Sequence, residues 1–307
     1  MSIKIKQQYK REPQMENLEK VLCGEDVEEI ASLLKSVEGK CFEKCYDYIC
    51  NCFYYLPIEF TDNRSKEFVN NDPIKANKDL KVHVDGSGGD KTTQTPEKLL
   101  EIYVELWEEY LEFERKEIPK RGRQSKIMGT KYKYNLSWNS KSNIEGAVSG
   151  DTIFSFPKNN FYNEIKGYAA DRYLKLLARL CYTIGNFIPV PKKGRGKLSV
   201  NSLHSYKRGY INNCFWERFD KFAYDVINND EYKNTFGEGF ITVFLEKSYL
   251  NNILLKDGEV IDLVTLKTAD NGMFEDFSKQ NINSYIINVC AFIIARGNAM
   301  LKRDRRQ

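Results

Sequence analysis

Apolar residues recur at helical spacing in several blocks along the chain. Residues 26–37 (DVEEIASLLKSV) and 39–55 (GKCFEKCYDYICNCFYY) form the first two, and Pro57 closes the second by removing a backbone donor. They predict an N-terminal helical pair. A stronger helix is predicted over 97–117, where Leu99, Tyr103, Leu106, Tyr110 and Phe113 recur at alternating steps of four and three. Thr95 and Pro96 suit its start, Ile118-Pro119 its end, and Glu101, Glu105, Glu108, Glu109 and Glu112 give it an acidic face. The helical period returns from Phe161 to Tyr182, through Phe215, Phe219, Phe222, Val226 and Ile227, and over 240–255 and 274–301.

Between these blocks the pattern changes. Residues 135–160 carry turn formers around short β-prone pieces, which predicts a small hairpin, and GEVIDLVTL at 258–266 is the best single strand. From Asp62 to Thr95 the chain is polar, with GSGGDKTTQT at 86–95 as its most flexible composition. The expected organisation is an N-terminal helical part over 1–80, a flexible loop over 81–95 and a main helical body over 96–307. The fold class is mainly α, a multi-helix globular protein with a minor β hairpin or small sheet.

Composition narrows the chemistry. The 307 residues include 19 Tyr and 18 Phe with only 8 Pro, enough apolar surface for a folded core. The first residues, MSIKIKQQYKREPQ, are polar and basic, so no secretory signal is expected. The longest apolar run, Tyr285 to Ala295, is about half the roughly 20 residues of a membrane span, so no membrane association is expected either. Abundant Lys, Asn, Ile and Tyr are what an AT-rich bacterial genome produces, and the eight cysteines then read as reduced cytoplasmic thiols. Cys41, Cys45, Cys50 and Cys52 crowd together, but their spacing matches neither a zinc knuckle pair nor an iron–sulfur pattern. Cys41, Cys45 and Cys52 share a helical face with Phe42 and Ile49 and read as small core residues. No metal site and no cofactor are expected.

Two histidines, His83 and His204, exclude multi-histidine metal sites and leave His204 as the best candidate general base. Asn201, Glu217 and Asp220 are its possible helpers. The GRGKLS segment at 194–199 has Pro191 where a phosphate-binding loop requires glycine. In VIDLVTLK, Asp262 lacks the second carboxylate that a metal-dependent nuclease pair requires. What remains is basic. Lys plus Arg number 47 against 43 Asp plus Glu, a net charge of +4, and the excess is clustered. Residues 120–134 interleave cations with tyrosines, and Lys192, Lys193, Arg195 and Lys197 flank two glycines. Clustered cations beside aromatics suit phosphate neutralisation with base stacking. Lys120, Arg121, Arg123, Lys192, Lys193 and Arg195 are the candidate phosphate contacts.

The most motif-like segment is CYTIGNFIPVP at 181–191. A helix is expected to end near Tyr182, with Gly185 at positive φ and Asn186 bonding its own backbone as the chain turns out through two prolines. The segment resembles the TIGNF-x-x-P element of a bacterial protein family. More remotely it resembles the IGNL segment in HNH-type C-terminal domains of modification-dependent restriction enzymes, with Asn201 after it and an Ile293-x-x-Arg296 pattern in a late helix. That resemblance implies a nuclease-like scaffold over about the last 130 residues. The metal-site histidine those nucleases carry upstream of the segment has no counterpart here, since no His lies between His83 and His204. The expectation is a non-catalytic protein that contacts nucleic acid or a protein partner, in a phage-defence setting. A hydrolase or nuclease using His204, and a structural interaction module, are the alternatives.

Overall fold

The computed structural model describes residues 13–51, 106–107, 109–117, 132–139, 141, 146–154, 170–181, 183–191, 218–275 and 278–304. Three helices open it: α1 (Pro13–Leu22), α2 (Val27–Ser36) and α3 (Gly39–Asn51). Strands β1 (Leu111–Glu117), β2 (Tyr132–Trp138) and β3 (Gly146–Thr152) follow, then α4 (Asp171–Leu180), a 3-10 turn at Ile184–Asn186 and β4 (Phe187–Pro191). The remainder is α5 (Phe219–Asn228), α6 (Asp230–Phe236), α7 (Glu238–Lys247), the short strands β5 (Leu255–Lys256) and β6 (Glu259–Val260), and α8 (Ile282–Asp304). The protein is mainly α, as its periodicity implies.

Local chemistry explains the helix starts. Pro13 opens α1 with a φ already suited to the first turn. Asp26 caps α2 by accepting from the Glu29 backbone N–H at 2.9 Å, and Asn229 caps α6 by accepting from Glu231 N–H at 2.8 Å. The predicted helical pair is present as α2 and α3, whereas α1, ten residues of largely polar sequence, was not anticipated.

α8 is the axis of the core. It packs against α2, α4 and the 3-10 turn, and every residue from Tyr285 to Asn298 is buried. By length and composition it could cross a membrane, yet 89% of its most apolar stretch lies inside the protein, which marks it as a core helix. The N-terminal helices belong to the same core: the Asn298 side chain donates to the carbonyls of Leu22 and Gly24, and the Tyr173 hydroxyl donates to Leu34.

The helix predicted over 97–117 does not run to its expected end. After Trp107 the chain turns, with the Tyr110 and Leu111 N–H groups both donating to the Trp107 carbonyl, and 111–117 is strand β1. Leu111 and Phe113 alternate with Glu112 and Glu114, so the segment satisfies a period of two as well as of three and a half. The partner strand β2, which supplies a full antiparallel ladder from Leu111↔Trp138 to Glu117↔Tyr132, decides between them. Among the described residues β3 joins β2 through Ser137↔Ala147 and Trp138↔Gly146, and β4 lies along β3 from Thr152↔Phe187 to Val148↔Pro191. The sheet order is β1-β2-β3-β4, the small sheet that the expected fold class includes.

Near the C-terminus the strand at 258–266 shrinks to Glu259–Val260, and Asp262–Leu266 form a turn bound by polar side chains. The predicted helix over 274–301 starts only at Ile282, and the one over 240–255 ends at Lys247.

Candidate functional site

The seven residues singled out for chemistry, Lys120, Arg121, Arg123, Lys192, Lys193, Arg195 and His204, lie outside the described residues. So do Asn201 and Glu217. What the structure describes is where the two basic segments are attached. Residues 118–131 connect β1 to β2 beyond the Glu117↔Tyr132 pair. Residue 192 follows β4, whose last residue, Pro191, pairs with Val148 close to the opposite end of the sheet.

The described polar residues gather in two buried nodes. In the first, Arg218 precedes α5, Asp220 stands in its first turn, and Asp262 comes from the turn after β6. The Arg218 Nε and Nη2 donate to Asp220 Oδ1 and Oδ2 at 2.9 and 2.8 Å, and Nη2 also donates to Asp262 Oδ1 at 3.0 Å. Its Nη1 donates to the Glu275 carbonyl, and the guanidinium carbon sits 5.5 Å from the Phe274 ring centre and 5.8 Å from that of Tyr285. Burial pulls the Arg218 pKa down, but the charge and hydrogen bonds of Asp220, with Tyr285 and Asp262, outweigh it and hold the group fully cationic. Backbone N–H groups complete the carboxylates: Lys221 and Leu263 donate to Asp220, Val264 and Glu275 to Asp262.

This arrangement corrects two expectations. Asp262 does have a second carboxylate near it, contributed by Asp220 from 42 positions earlier in the chain. The space between them, however, is filled by a guanidinium, and both carboxylates are committed to holding the turn over 262–264 and the segment at 275. Asp220 is therefore no free helper for a catalytic base. Asn288 of α8 clamps the same turn, donating from Nδ2 to the carbonyls of Leu263 and Val264.

The second node contains the IGN segment. Asn186 was expected to bond its own backbone; instead its side chain reaches across the fold. Its Oδ1 accepts from Phe154 N–H at 2.9 Å, and its Nδ2 donates to the carbonyls of Phe154 at 2.7 Å and Cys181 at 2.9 Å. It ties the end of β3 to the end of α4. Gly185 is not at positive φ. Its role is close approach, since α8 passes directly over it. Arg296, fully buried on α8, donates from Nη1 to the Gly185 carbonyl and from Nε to the Ser248 carbonyl, both at 2.7 Å. Gly185, Ile293 and Arg296, three of the residues quoted for that resemblance, meet in one place, while Asn201 lies outside the described residues.

The cysteine cluster is divided by the fold. Phe42, Cys45 and Ile49 are the buried stripe of α3, while Cys41 is exposed, one position off that stripe in the first turn. Cys50 and Cys52 side chains fall outside the description. Burial, with Cys41 adding to it, pushes the Cys45 thiol up to about 11, and burial pushes Cys290 up further. Among the described residues no three His, Cys, Asp or Glu side chains come together as metal ligands would.

Comparison with known protein families, curated proteins and solved structures returned no match for this chain.

Proposed function

We propose that this is a nucleic-acid-contacting protein that works by binding and carries out no reaction of its own, in a bacterial defence setting. The supporting observation is the clustering of the basic sequence in two segments. The connection between β1 and β2 carries Lys120, Arg121 and Arg123, and the residues following β4 include Lys192, Lys193 and Arg195. Cations exceed carboxylates in both segments, so a polyanion that contacts them would neutralise both. The likeness of the IGN segment to domains of modification-dependent restriction enzymes points the same way and is the reason for the defence setting.

Such binding has a definite salt signature, because each phosphate neutralised releases condensed counterion. The logarithm of affinity for duplex DNA falls against the logarithm of salt with a slope of about −0.9 per phosphate contacted. Titrating DNA and RNA oligonucleotides against the full chain is the test. Changing Lys120, Arg121 and Arg123 together to Ala is expected to flatten the slope by about 3. Absence of binding at low salt overturns the proposal in favour of a protein-interaction role.

A further inference from the structure

We draw no further inference here: the strongest candidate, the surface patch at Met273, which stands exposed next to Phe274 on the segment leading to α8, carries nothing because nothing in the structure shows what covers it.

Discussion

Gly185 lies so close under Ile293 that a β-carbon on the glycine would collide with the Ile293 carbonyl oxygen and stand 2.9 Å from the Gly297 nitrogen. Both neighbours are backbone atoms of α8, and neither can swing aside as a flexible side chain would. The close approach lets the Gly185 carbonyl accept from Arg296 and lets α8 seat directly on the 3-10 turn.

Gly185→Ala is accordingly expected to be costly, by about 3 kcal/mol, the upper range for overpacking a closed core. For a chain of this size that is a fall of about 5 °C in melting temperature. Differential scanning calorimetry checks it, and a variant melting within a degree of the parent shows that α8 can shift away.

Arg218→Met tests the first buried node. Removing the guanidinium leaves Asp220 and Asp262 buried with backbone donors but no cation, so a loss of about 3–5 kcal/mol is expected. Denaturant unfolding measures it. A loss under 1 kcal/mol would mean that water enters the site readily.

Thiol labelling should separate the cysteines of α3. Cys41 is exposed and Cys45 is buried with its thiol pushed up to about 11, so alkylation at mildly alkaline pH is expected at Cys41 well before Cys45. Cys290, buried on α8 with its thiol pushed up still further, should react only on unfolding. Peptide mass mapping over time reads the order.

Asp225 on α5 supplies a pH test. Partial burial raises its carboxyl pKa, so folding favours the protonated form. Its contribution to stability is complete below the unfolded carboxyl pKa and is lost as pH rises through the folded one. Asp225→Asn should therefore raise the melting temperature at neutral pH and leave it unchanged in acid. An equal effect at both pH values would show that the charge is not involved.

From the chain alone, the mainly α class, α2 and α3, and the middle of α4, α5 and α8 were all legible, because burying one helical face leaves an apolar stripe that needs no partner to be recognised. The basic clusters were legible as composition. What the tertiary structure decided is everything that depends on residues far apart in sequence. Leu111–Glu117 carry a pattern compatible with helix or strand, and the ladder from Tyr132–Trp138 makes them strand. Asp262 read as an unpaired carboxylate until Arg218 and Asp220 came to it, and Gly185 read as a turn glycine until α8 came to lie across it. Hydrogen bonds and steric contacts act over a few ångströms in space, and only the folded chain determines which distant residues come within that range.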